Sequence, residues 1–113
     1  MDWFYRQSRD DNMTNRHSIY RLVRQIPQGR VLSYGDLGRM VGTGPRQVAA
    51  AMRECPAGLP WHRVVGAGGV IRTPGEYAWI QRERLIAEGI RFHGSGFSYE
   101  IYRWKIGKNS NRA

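Results

Sequence analysis

Ser33-Tyr34-Gly35-Asp36-Leu37-Gly38-Arg39-Met40-Val41-Gly42-Thr43-Gly44-Pro45-Arg46-Gln47-Val48-Ala49-Ala50-Ala51-Met52-Arg53 reads as two short helices across a tight turn. Ser33 can cap the first helix, and Asp36, three residues on, completes a weak capping-box pattern. Leu37, Met40 and Val41 supply the buried face of that helix. Gly42 stops it, Thr43-Gly44 turns the chain, and Pro45 occupies a first helical position, where its missing N–H is no loss. Val48, Ala51 and Met52 then point inward from the second helix. Two short helices across a glycine-containing turn make a helix-turn-helix.

Upstream, Ile19, Leu22, Val23 and Ile26 fall at i, i+3, i+4 and i+7, which predicts a core-packing helix ending at Pro27-Gln28-Gly29. Arg30-Val31-Leu32 is a short strand-like run. Downstream, Gly66-Ala67-Gly68-Gly69 turns the chain between Val64-Val65 and Val70-Ile71, and it lacks the spacing and lysine of a phosphate-binding loop. A helix follows, in which Ala78 with Leu85 and Trp79 with Ile86 repeat at i, i+7, so Trp79 is expected in the core. Ile90 and Phe92 alternate with Arg91 and His93, and Gly94-Ser95-Gly96 then leads into Phe97 to Trp104, a pattern expected to form a hairpin or wing. The aperiodic residues 1–15, with Trp3-Phe4-Tyr5, read as a poorly ordered extension or as an aromatic cluster docking on the core. Met13 is an alternative start, residues 16–106 form one domain, and 107–113 read as a flexible tail.

The 113 residues suffice for one modest core. Eighteen basic residues, sixteen of them arginine, face nine acidic ones and give a net charge of +9. Residues 18–60 and 91–113 each carry an excess of +4, so the charge accompanies the fold and is not confined to a tail. That distribution suits a polyanion such as nucleic acid. On the helix-turn-helix reading the helix from Pro45 is the DNA-contacting one, with Arg46, Gln47, Ala49, Ala50 and Arg53 as contact candidates. The run Ala49-Ala50-Ala51 gives it a thin profile able to approach a groove closely, although alanine is also simply the best helix former. Cys55 is the single cysteine, which excludes an internal disulfide and fits a reducing compartment. No apolar run approaches the roughly 20 residues that cross a bilayer, and a cytoplasmic location is expected. Three histidines and one cysteine form no metal-ligand pattern, and neither metal nor other cofactor is expected.

One further motif carries the chemistry: Pro60-Trp61-His62-Arg63-Val64-Val65. It resembles the Pro-Cys-His-Arg-Val signature of O6-alkylguanine-DNA alkyltransferases, with tryptophan in place of the nucleophilic cysteine, the form found in alkyltransferase-like proteins. An indole offers one N–H donor on a flat ring and no thiolate-like state, so recognition can survive where transfer cannot. The resemblance runs from about residue 16 to residue 106. It implies an α/β, winged-helix-like single domain that binds alkylated double-stranded DNA through the minor groove. In Gly29-Arg30-Val31-Leu32-Ser33-Tyr34-Gly35-Asp36, Tyr34 would lie against the target phosphate and help rotate the nucleotide outward. Arg46, in Pro45-Arg46-Gln47-Val48, would be the finger that fills the vacated stack.

His62 and Glu88 match the family's histidine and the glutamate that orients it, and without a thiol they read as a retained scaffold. With Trp61, Arg63 and Tyr34 they would line a lesion pocket, closed on one side by the loop Arg72-Thr73-Pro74-Gly75-Glu76-Tyr77. Cys55 lies near the place where the family often has a bracing asparagine, and the loop from there to Trp61 is shorter than in many catalytic members. The expected function is therefore non-catalytic recognition of O6-alkylguanine by a monomer that flags lesions for nucleotide excision repair proteins. The alternatives are a winged-helix transcription regulator and an alkyltransferase using Cys55.

Overall fold

The structure, a computed structural model, describes residues 15–106. The N-terminal aromatic cluster and the tail from 107 lie outside the described residues. Helix α1 runs through 15–25, followed by strand β1 (Leu32–Ser33), α2 (Tyr34–Val41), α3 (Pro45–Arg53), a 3-10 turn (Trp61–Arg63), β2 (Val64–Val65), α4 (Glu76–Ala87) and the short α5 (Tyr99–Tyr102).

Helices α2 and α3 pack as the helix-turn-helix that their punctuation predicts. Ser33 is the N-cap of α2, and its hydroxyl accepts from the Asp36 amide at 3.0 Å. Gly42 ends the helix at φ 80°, a left-handed conformation that an L side chain resists, and its N–H reaches back to the Arg39 and Gly38 carbonyls. Pro45 begins α3. Beneath them lie Ile19, Val23 and Ile26 of α1, with Leu32, Leu37, Val48, Ala51, Leu59 and Val64. Each fully buried valine, leucine or isoleucine among them stabilises the fold by about 1.5–3 kcal/mol.

β1 and β2 pair in parallel, Leu32 opposite Val64 and Ser33 opposite Val65. This pairing sets the Trp61 turn beside the start of α2. A second core cluster, Val31, Val65, Leu85, Ile90 and Phe97, lies under α4 and the C-terminal segment.

Three expectations change. Met40 is 47% exposed, because Leu37 and Val41 hold the inward side of α2 and Met40 falls at the edge of their stripe. Trp79 is 64% exposed and Ile86 43%, so the buried side of α4 is instead Gln81 and Leu85, with Ala78 half-buried. The C-terminal hairpin shrinks to a turn in which the His93 amide donates to the Gly96 carbonyl at 2.7 Å, and the strand expected after it becomes α5. Tyr99 and Tyr102 are three residues apart, so a helical turn keeps both on the core side, whereas an extended run would put them on opposite faces. The turn at 66–69 lies beside that at 93–96: the Phe97 amide donates to the Gly69 carbonyl at 3.3 Å. A Cβ on Gly69, which has φ +86°, would clash with the Phe97 carbonyl oxygen. No helix among the described residues is long and apolar enough to cross a membrane.

Candidate nucleic-acid interface

Arg46, Gln47 and Arg53 stand exposed on α3, with Ala49 and Ala50 half-exposed between them. The outer face of the helix is thus two small residues flanked by guanidinium groups. Tyr34, the first residue of α2, is half-buried. Burial raises its phenol pKa, against the opposing effects of Thr73 and of the charges of Arg53 and Arg72. A groove lined in part by Tyr34, Arg46, Arg72, Gly68 and Arg103 joins the start of α2 to the start of α3. The two residues assigned by resemblance to nucleotide rotation and stack filling therefore share one surface.

The Pro60-Trp61-His62-Arg63 turn is held from behind. The Glu88 carboxylate accepts from the Gly29 amide at 3.0 Å and from Arg63 Nε and Nη2, the latter at 2.6 Å, and it pairs with His62 Nε2 at 2.7 Å. Arg63 Nη1 donates to the Ile26 carbonyl at 2.8 Å, so its fork is spent joining α1 to the end of α4. Burial alone would raise the Glu88 pKa, but the Arg63, Gly29 and His62 contacts outweigh it and lower the group to about 2. Burial, with the charges of Arg63 and Arg84, also lowers the His62 pKa, against the raising effect of Glu88. Neutral His62 carries its proton on Nε2 toward the carboxylate, which leaves Nδ1 as a buried acceptor without a partner among the described residues. Gln81 adds a further tie: its Nε2 donates to the His62 and Val64 carbonyls at 3.1 and 2.8 Å, and its Oε1 accepts from Thr73 at 2.6 Å.

Trp61 is half-buried at the head of this turn. Tyr77 meets it edge-on at 6.2 Å, His62 at 6.4 Å, and the Arg84 guanidinium lies 5.4 Å over the indole. The residues grouped in the sequence as one pocket thus divide by role. Tyr34 and Trp61 are partly open to solvent, while His62, Arg63 and Glu88 form the clamp that fixes the turn. Cys55 is half-buried against the first core cluster, and burial raises its thiol pKa. The motif pointed to Trp61 and His62 but not to Tyr77, Arg84 or Gln81, all of which lie in α4, a helix without a signature. Arg72 and Tyr77 could be located only as members of the 72–77 loop.

A bared α3, a tyrosine at the head of α2 and a Pro-Trp-His-Arg turn clamped by glutamate define a DNA-binding domain of the alkyltransferase type. The chain belongs to the family of the 6-O-methylguanine DNA methyltransferase DNA-binding domain, whose model matches residues 14–90, and within it to the alkyltransferase-like proteins. It is 36% identical over 104 residues to an Escherichia coli protein named DNA base-flipping protein, covering 88% of this chain and 79% of that one. It is 35% identical to the Schizosaccharomyces pombe alkyltransferase-like protein 1, covering 77% of this chain and 91% of the relative. A crystal structure of S. pombe Atl1 in complex with damaged DNA containing O6-carboxymethylguanine superimposes with a TM-score of 0.74 at 31% identity, over 80% of this chain and 94% of the other.

Proposed function

We propose that this protein, as a monomer in the cytoplasm, binds alkylated duplex DNA through α3 in the minor groove and flips an O6-alkylguanine toward Trp61. It transfers nothing, and it marks the lesion for nucleotide excision repair proteins. The observation that carries this reading is the intact clamp around a turn whose chemical residue is an indole: His62, Arg63 and Glu88 hold Trp61 in place, and no thiol stands there to react. The E. coli relative's name and the damaged-DNA complex of the S. pombe protein support it.

Each residue has a part. Tyr34, beside Arg53 and Arg72, lies where it can press on the phosphate of the target nucleotide. Arg46 carries five donors on a flat group able to fill the gap and bond the orphaned base. Trp61 offers a ring for the alkyl group and an N–H for a base acceptor. Arginines on the groove neutralise phosphates.

Two measurements test the proposal together. Titration of the protein with a duplex containing O6-methylguanine, and with its guanine counterpart, is expected to show tighter binding to the lesion. Equal affinities would instead favour a winged-helix transcription regulator. Mass spectrometry after incubation with the lesion duplex is expected to show the unmodified mass. An alkyl group on Cys55 would establish a transferase.

A further inference from the structure

The family match ends at residue 90, yet the groove holding Tyr34 and Arg46 is also lined by residues beyond that point, Tyr99, Glu100 and Arg103. The segment is strapped to the residue just before β1 by main-chain bonds: the Val31 amide donates to the Tyr102 carbonyl, and the Trp104 amide to the Val31 carbonyl, both at 3.0 Å. At its head, the Tyr99 hydroxyl accepts from the Ser33 amide at 2.8 Å and donates to Asp36 Oδ2 at 2.5 Å.

Those two partners are the two ends of the α2 cap. In a complete capping box a glutamate or glutamine at the third helical position reaches back to the N-cap amide. Asp36 holds that position but is one methylene shorter, and the Tyr99 hydroxyl stands between its carboxylate and the Ser33 amide. Arg39 also pairs with Asp36, and Arg103 lies 3.9 Å from its Oδ2, so the carboxylate has partners on three sides. Tyr34, with Gly35, lies between the cap and Asp36. The backbone that aims its side chain is therefore fixed on both sides by one phenol 66 residues from Ser33 in sequence.

We infer that Tyr99 is a positioning residue for nucleotide flipping, acting through Ser33 and Asp36 on the aim of Tyr34. This rests on the reading that Tyr34 rotates the target nucleotide. Tyr99→Phe keeps the ring and removes only the hydroxyl, so general DNA binding through α3 persists while flipping is impaired.

The test uses the full chain and a duplex in which 2-aminopurine neighbours O6-methylguanine, whose fluorescence at saturating protein reports unstacking separately from affinity. Wild type, Tyr99→Phe, Tyr34→Ala and the double variant are compared, with anisotropy titrations on undamaged duplex. Tyr99→Phe is expected to lose at least half of the saturating signal, to bind undamaged duplex within about twofold of wild type, and to add no further loss in the Tyr34→Ala background. An undiminished signal in Tyr99→Phe, or an equal loss on top of Tyr34→Ala, overturns the inference and leaves the proposed function standing. An undiminished signal in Tyr34→Ala overturns the reading of Tyr34 and this inference with it. If Tyr99→Phe does not fold, Asp36→Asn, which weakens the same hydroxyl from its other side, is expected to give the same loss; full signal there overturns the inference equally.

Discussion

Replacing Glu88 by glutamine removes the charge that holds the Trp61 turn while preserving the shape of the side chain. The carboxylate is 11% exposed and accepts from Gly29, His62 and Arg63. Its pKa falls from 4.5 to about 2 on folding, so its ionised form stabilises the fold above pH 4.5, and that contribution is lost as pH falls toward 2. A shift of that size corresponds to about 3 kcal/mol near neutrality and to roughly half of that by about pH 3. His62 acts in the same sense. Its folded pKa lies below 6.5, so the unfolded chain takes up the proton first and acid favours unfolding. Glu88→Gln also leaves Arg63, 17% exposed, without its counter-charge. The expected cost at neutral pH is about 2–4 kcal/mol, a large part of the 5–15 kcal/mol typical of a domain. Urea unfolding of both proteins at several pH values between 7 and 3 is the assay. The gap between them should narrow by about 2 kcal/mol toward pH 3 as the wild type loses its Glu88 contribution. A variant with the same acid sensitivity as wild type, or one destabilised by less than about 1 kcal/mol, would refute the clamp.

Arg46→Ala should weaken lesion binding more than Arg53→Ala, since a finger fills the stack as well as meeting charge; equal losses would reduce both to electrostatics. Arg53→Ala should weaken lesion and control duplexes alike and lower the salt slope by about one, seen in titrations at several salt concentrations. Gly69→Ala should destabilise by about 2–4 kcal/mol in urea unfolding, because a Cβ there meets the Phe97 carbonyl and the backbone is left-handed.

The helix-turn-helix was legible because its signals are local. Ser33, Gly42 and Pro45 each act on the backbone next to them, and Leu37, Val48 and Ala51 need only face one core. The pairing of His62 with Glu88 was suggested by the motif's resemblance, and the structure places the two side chains 2.7 Å apart. Helix α4 was harder, since Ala78 with Leu85 and Trp79 with Ile86 have the same spacing. The choice between them lies with Gln81, which is polar and escapes a hydrophobic period, although its amide is buried on the Trp61 turn. The completion of the α2 cap by Tyr99 had no sequence signal, because the partners lie 66 and 63 residues apart. The run from Phe97 to Trp104 suggested a hairpin or wing by its place after Gly94-Ser95-Gly96, a local signal that carries nothing of the Tyr99 contacts with Ser33 and Asp36.

Trp61→Ala offers the most direct test of damage recognition without chemistry. A lesion duplex and its guanine counterpart are titrated against wild type and variant under the same salt conditions. Base contacts with aromatic side chains are worth about 1–3 kcal/mol, so lesion affinity should fall by roughly five- to a hundredfold while control affinity changes far less. Equal weakening of both duplexes, or of neither, would make Trp61 a structural plug in a general DNA-binding fold and would contradict the account.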